Sequence, residues 1–154
     1  MASVKQIERL RALVQLDVDA LAAYEVAIKG LHDEQVISKL SGFRVDHARH
    51  LQDLNALLSK AGGQPVEMTP DFKGTLLKAL TQVTGRLGTE AALLSMVANE
   101  ELIHRAYQAA LKKEWDADAR AVLEATLGDE HRHLEWLKHA IRERPWAHEA
   151  EVHP

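Results

Sequence analysis

Glu130-x-x-His133 and His47-x-x-His50 each place two ionisable side chains three residues apart, and Asp17 and Glu100 stand as single acids in otherwise apolar helical stripes. On a helix that spacing turns both side chains of a pair to one face, so each pair is able to serve a single site. A carboxylate buried alone is penalised by many kcal/mol unless it is paired, protonated or bound to a cation. Carboxylates and imidazoles converging from several helices form the mixed oxygen and nitrogen shell that suits iron, manganese or zinc. Asp17, His47, His50, Glu100, Glu130 and His133 are therefore the candidate metal ligands, with His47 either a ligand or a group that orients one.

Long helices packed side by side are needed to bring these residues together. Ala, Leu, Glu, Lys and Arg dominate the chain and the breakers fall in few places, so the fold class is all-α. Ser3-Val4-Lys5-Gln6 resembles a capping box that starts a first helix ending near Gly30. A second helix is expected over about 33–60, and Ala61-Gly62-Gly63-Gln64-Pro65 forces a break. Thr69-Pro70 offers a new start for a short helix over about 70–84. Gly85 and Gly88 interrupt it, Thr89 is able to cap a third long helix to about 113, and a fourth starts near Asp116 or Asp118 and stops before Pro145. The stripes read Ile7, Leu10, Val14, Asp17, Leu21, Tyr24, Ile28; Val36, Leu40, Phe43, His47, His50, Leu54, Leu57; Leu93, Val97, Glu100, His104, Tyr107, Leu111; and Leu123, Thr126, Glu130, His133, Leu137. Every stripe turns polar near its middle.

Composition narrows the rest. A chain of 154 residues fits one domain, read as a bundle over 1–145 with a polar C-terminal tail over 146–154. The net charge is −4, and the basic residues are scattered among acids, which argues against a nucleic-acid groove. No cysteine is present, which removes disulfides, thiolate zinc sites and cysteine nucleophiles together and fits a reducing compartment. No stretch approaches the roughly 18 apolar residues of a membrane span, so the expectation is a soluble, cytoplasmic protein. Histidine is the unusual component, at nine against two Phe and two Tyr.

Arg49-His50-Leu51 recurs as Arg132-His133-Leu134, and aligning Asp17 with Glu100 also aligns Leu10 with Leu93, Val14 with Val97, Tyr24 with Tyr107 and Ile28 with Leu111. The first hairpin thus repeats as the second. Asp17, followed by Ala20 and Tyr24, resembles the first-helix motif of rubrerythrins. Glu130-x-x-His133 resembles the fourth-helix ligand pair of the ferritin-like superfamily, and Glu100 with Tyr107 repeats the acid-to-tyrosine spacing. The resemblance spans essentially the whole chain and is to small bacterial members of unassigned activity. It implies an antiparallel four-helix bundle with a pseudo-twofold axis and a long crossover, containing the short helix, between the second and third long helices. It further implies two iron ions, with manganese or zinc as alternatives, oxygen or peroxide as reactant in ferroxidase or peroxidase-like chemistry, and a homodimer.

One departure stands out. The superfamily carries Glu-x-x-His in the second helix, and this chain carries His47-x-x-His50. An imidazole does not bridge two metals through two oxygens as a carboxylate does, and Asp17 has less reach than the usual glutamate. Three carboxylates facing two divalent ions leave net positive charge, so a second ion is expected to bind more weakly. The competing expectation is a non-catalytic, stress-related helical bundle or interaction module with a degenerate or single-zinc site. Tyr24 and Tyr107 are read as packing groups or groups that orient ligands. His104, one turn beyond Glu100, is an extra nitrogen donor or a satisfied core histidine. Asp46, Glu101 and His131 are assigned to solvated faces, and His32, His139, His148 and His153 to helix ends or the tail.

Overall fold

The computed structural model describes residues 2–69 and 88–147. Four helices account for nearly all of them: α1 (Val4–Lys29), α2 (Glu34–Lys60), α3 (Gly88–Leu111) and α4 (Ala117–Glu143). No strand occurs among the described residues, and no helix there is long and apolar enough to cross a membrane.

Local chemistry sets the helix ends. Ser3 opens α1 with a reciprocal capping box: its backbone N–H donates to Gln6 Oε1 at 2.8 Å, and its hydroxyl accepts from Gln6 N at 3.2 Å. Asp33 caps α2 by accepting from Val36 N at 2.8 Å, and Asp116 caps α4 by accepting from Ala119 N at 2.7 Å. Helix α3 already runs at Gly88, one residue before the cap expected at Thr89. Its C-terminal carbonyls are taken up from the next segment, where Trp115 Nε1 donates to Ala110 O at 2.7 Å and Arg120 donates to Leu111 O at 3.3 Å. Arg144, at φ 49°, ends α4 in the left-handed region just before Pro145.

Helix α1 packs on α2 and α3, and α4 packs on α3 and α2, while the diagonal pairs stay apart among the described residues. Two apolar clusters fill the two ends. One gathers Tyr24, Leu40, Phe43, Leu93, Met96 and Leu137; the other gathers Leu10, Val14, Leu54, Ile103, Tyr107 and Leu123. The first cluster takes the start of α3 and the start of α2, and the second takes the ends of both. The connection leaving α2 must therefore travel the length of the bundle to reach α3. Its first part runs along α1, where Arg11 donates to the carbonyls of Gln64 and Pro65, and Gln15 Nε2 donates to Thr69 O at 3.2 Å. The short helix expected over 70–84 and the tail from residue 148 lie outside the described residues.

The buried face of α1 is wider than the expected stripe: Leu10, Val14, Asp17 and Tyr24 are buried as expected, and Leu13, Val18, Ala20, Ala23 and Ala27 join them. Ala20, Ala23 and Ala27 are fully buried, whereas Ile7, Leu21 and Ile28 are only partly covered. Small side chains let neighbouring helices approach closely, so alanines are able to share the buried face with the larger aliphatics. In α2 and α4 the expected stripes hold: Val36, Leu40, Phe43 and Leu54 are buried in one, and Leu123, Thr126 and Leu137 in the other.

Candidate metal centre

Between the two apolar clusters lies one polar layer. Asp17 from α1, His47 and His50 from α2, Glu100 from α3, and Glu130 and His133 from α4 are all buried, at 0–1% exposure. These are the six residues that spacing singles out, and the four helices bring all of them to one level. They form two overlapping groups, Asp17, His47, His50 and Glu130, and His47, Glu100, Glu130 and His133. Within each group one ligand atom per residue lies within 4.8 Å of every other. His47 and Glu130 belong to both.

His47 sits at the centre. Its Nδ1 lies 2.8 Å from Asp17 Oδ1 and its Nε2 lies 3.1 Å from Glu100 Oε1, while Glu130 Oε1 is 3.6 Å from Nδ1. His50 Nδ1 is 3.3 Å from both Asp17 Oδ1 and Glu130 Oε1. His133 Nδ1 is 3.4 Å from Glu100 Oε1 and 3.7 Å from Glu130 Oε2. Several of these approaches are close enough for charge pairing but lack hydrogen-bond geometry. Both oxygens of Glu130, Glu100 Oε2 and His133 Nδ1 are buried without a hydrogen-bond partner. Buried polar atoms are normally satisfied, and this many orphans on facing ligand-type side chains fit a cation.

The tyrosines bind across the α1–α3 pair. Tyr107 Oη donates to Asp17 Oδ2 at 2.5 Å, and Tyr24 Oη donates to Glu100 Oε1. Burial, reinforced by Glu100 for Tyr24 and by Asp17 for Tyr107, keeps both phenols protonated by raising them well above their ordinary value. They orient the carboxylates as well as pack.

Electrostatics within the layer favour protonated imidazoles. Burial by itself lowers a histidine's pKa, but Asp17 and Glu130 outweigh it at His50, which is raised to about 10. Glu100 and Glu130 likewise outweigh it at His133, raised to about 9. His47 is raised well above its ordinary value by Glu130, Glu100 and Asp17, again against burial. Asp17 is lowered, because His47 and His50 overcome the opposing effect of burial. Glu130 is raised, chiefly by its burial. A divalent cation at this level would take the place of imidazole protons.

A family model described as a domain of unknown function (DUF2383) matches residues 5–113, most of the chain. The chain belongs to this DUF2383 family. No curated protein matches it. The DUF2383 match takes in α1, α2 and α3, and with them Asp17, His47, His50 and Glu100.

Around the six residues this DUF2383 chain carries a layer that reading by stripes misses. His50 Nε2 pairs with Asp129 Oδ2 at 2.9 Å, and His133 Nε2 pairs with Asp46 Oδ2 at 2.7 Å. Each imidazole thus presents Nδ1 inward and is held by a carboxylate on Nε2, the arrangement that fixes the tautomer and aim of a metal-ligating histidine. Arg49 and Arg132 clasp the same aspartates: Arg49 donates to Asp129, and Arg132 donates to Asp129 Oδ1 at 2.8 Å and to Asp46 Oδ2 at 3.3 Å. Asp46 is therefore no solvated-face residue, its side chain being only 16% exposed. The available signal was a longer repeat, Asp46-x-x-Arg49-His50 against Asp129-x-x-Arg132-His133.

His104 falls outside the layer. It is partly exposed on the α3 surface, its ring stacked obliquely near that of His131 at 5.8 Å between centroids, so the expectation of a core histidine or an extra donor at the centre is not what the fold places there. The turn of α3 that points Glu100 and Tyr107 inward points His104 toward α4's outer side.

Proposed function

We propose that this chain is a ferritin-like, dimetal-binding bundle whose physiological metal is iron, with ferroxidase or peroxide-reducing activity. The observation that carries the reading is the pair of overlapping four-residue groups with the unpartnered atoms of Glu130, Glu100 and His133 turned into them. Asp17 and His50 would hold one ion, Glu100 and His133 the other, and Glu130 and His47 lie between. Two Fe(II) ions in such a centre supply the two electrons that reduce one peroxide to two waters, with two protons taken up. The protein's own part is positional. Tyr24 and Tyr107 fix the single acids, Asp46 and Asp129 fix the imidazoles, and the apolar clusters above and below keep bulk water out. Manganese or zinc would suit the same donors. A cytoplasmic location and a homodimer accompany the resemblance, to be checked by cell fractionation and by light scattering.

A second reading is favoured by one observation, the position of His47. As an imidazolium it links Asp17 and Glu100 at 2.8 and 3.1 Å and offsets their charge with no metal at all. On that reading the bundle is a non-catalytic module, or holds a single zinc. Metal analysis after anaerobic Fe(II) loading of untagged, chelator-free protein separates the cases. Two equivalents with oxygen-dependent oxidation support the dimetal enzyme, one equivalent of zinc that Glu130→Ala abolishes supports the single site, and a trace of any metal ends both metal readings.

A further inference from the structure

We propose that the outer seam between α3 and α4 carries a second metal site, built on His104 and His131, that takes one borderline divalent cation such as Zn(II) or Cu(II). The two rings come from different helices and approach to 5.8 Å between centroids with 39° between their planes. A Zn–N bond of about 2.0–2.1 Å places a ligating ring's centre about 3 Å from the ion, so two ligating imidazoles stand about 5–6 Å apart. The observed pair already has that separation, and neither ring has to leave its helix face to adopt it. His131 is exposed and His104 partly exposed, so the seam is open to ions from solution.

Each helix also carries an acid close in sequence to its histidine. Glu101 precedes His104 by three residues and Glu135 follows His131 by four, spacings that put each acid on its histidine's face of the helix. Lys138 Nζ lies 3.5 Å from Glu101 Oε1 and Arg105 lies 3.8 Å from Glu101 Oε2. Paired imidazole nitrogens suit zinc or copper in preference to magnesium or calcium. The inference does not depend on the buried centre, since no residue is shared between the two.

Zn(II) titration of the full chain, followed by calorimetry, tests the proposal against His104→Gln, His131→Gln and the double variant. The parent is expected to bind one equivalent more than the double variant, whether the buried centre takes two ions, one or none. Each single variant should lose that same equivalent, and unchanged melting temperatures without metal would show that the fold is kept. Ring-proton NMR signals of His104 and His131 should shift together and saturate with that equivalent. Equal stoichiometry in parent and double variant, or ring shifts that appear only at millimolar Zn(II) as for any exposed histidine, would overturn the proposal.

Discussion

The hairpin of α1 and α2 and the hairpin of α3 and α4 meet their counterparts at one constant offset along the chain. Tyr107 holds Asp17 as Tyr24 holds Glu100, and Asp129 holds His50 as Asp46 holds His133. Each supporting group serves the opposite hairpin, so neither half completes its own site. The two halves differ in the groups they support: aspartate at 17 against glutamate at 100, and histidine at 47 against glutamate at 130. A symmetric frame around an asymmetric centre means that the outer contacts tolerate a change of ligand type inside. It also means that charge, more than geometry, separates the two positions.

The comparison is broken most completely by removing Glu130, which both ligand groups share, together with Asp17, which belongs to one of them. Asp17→Ala combined with Glu130→Ala is expected to abolish iron binding at the buried centre, read by elemental analysis after Fe(II) loading, with circular dichroism to confirm that the helices remain. Glu130→Gln keeps the shape and loses the charge, and it should also remove most of the binding. Retention of a full complement of metal by Glu130→Gln would show that Glu130 is not between the ions.

His47→Glu removes one of the two differences between the halves. With a fourth carboxylate, two divalent ions are neutralised, and the second equivalent should bind at least about tenfold more tightly, a gain of about 1.4 kcal/mol. Co(II) titration followed by absorbance would read both equivalents. If the second equivalent is no tighter, the asymmetry at 47 is not what limits it.

Asp46→Asn and Asp129→Asn probe the frame instead of the centre. Loss of the carboxylate behind a ligating histidine costs about 10–100-fold in metal affinity. The effect should cross between hairpins, with Asp46→Asn disturbing the ring signals of His133 and Asp129→Asn those of His50. Disturbance of the histidine on the same helix would contradict the reciprocal arrangement.

That crossing also explains what the sequence alone leaves out. The four helices, the capping box at Ser3 and the six inward polar residues were legible because apolar periodicity and helix-end chemistry are local. The roles of Asp46 and Asp129 were not. Asp46 lies four residues before His50, the spacing of a pair within one helix, yet its partner is His133 on a helix antiparallel to it. Only the packing of α2 against α4 decides that. His104 was misplaced for a related reason: a spacing of four from Glu100 suggests a shared face, but α3 is crowded on one side by α1 and on the other by α4, and a rotation of a fraction of a turn separates centre from seam. The extra buried residues of α1 have the same origin, since a stripe weighted by large side chains overlooks Ala20, Ala23 and Ala27.

The protonation of the centre gives the next comparison, between metal-free and metal-bound protein. His50 and His133 are raised to about 10 and about 9. A histidine whose folded pKa lies above its unfolded value of about 6.5 contributes stability that is complete below that pH. That contribution is lost as pH rises through 9 and then 10. Metal-free protein should therefore lose melting temperature progressively between about pH 6.5 and 10, while metal-bound protein, whose ligands are already deprotonated, keeps it. Metal affinity should climb by up to about tenfold per pH unit for each proton displaced, seen as proton release in weakly buffered titrations. A pH-independent gap between the two melting temperatures would contradict the exchange of protons for metal.

The smallest effect expected separates the two tyrosines. Each donates to a buried carboxylate, a contact worth about 1.5–3 kcal/mol. The consequences of losing them differ, however, because the acids are satisfied differently. Asp17 Oδ1 is shared by His47 and His50, and its Oδ2 is held by Tyr107. Tyr24 binds Glu100 Oε1, which keeps His47 at 3.1 Å when the hydroxyl is gone. Tyr107→Phe thus strands an oxygen that Tyr24→Phe does not. In chemical denaturation of metal-free protein, Tyr107→Phe should be the more destabilising of the two by about 1 kcal/mol. With metal bound the gap should narrow, because an ion beside Asp17 offsets the charge left on the stranded oxygen. Equal losses in the metal-free protein would mean that the shorter Asp17 and the longer Glu100 are held by interchangeable contacts, and that the asymmetry of the centre rests on His47 alone.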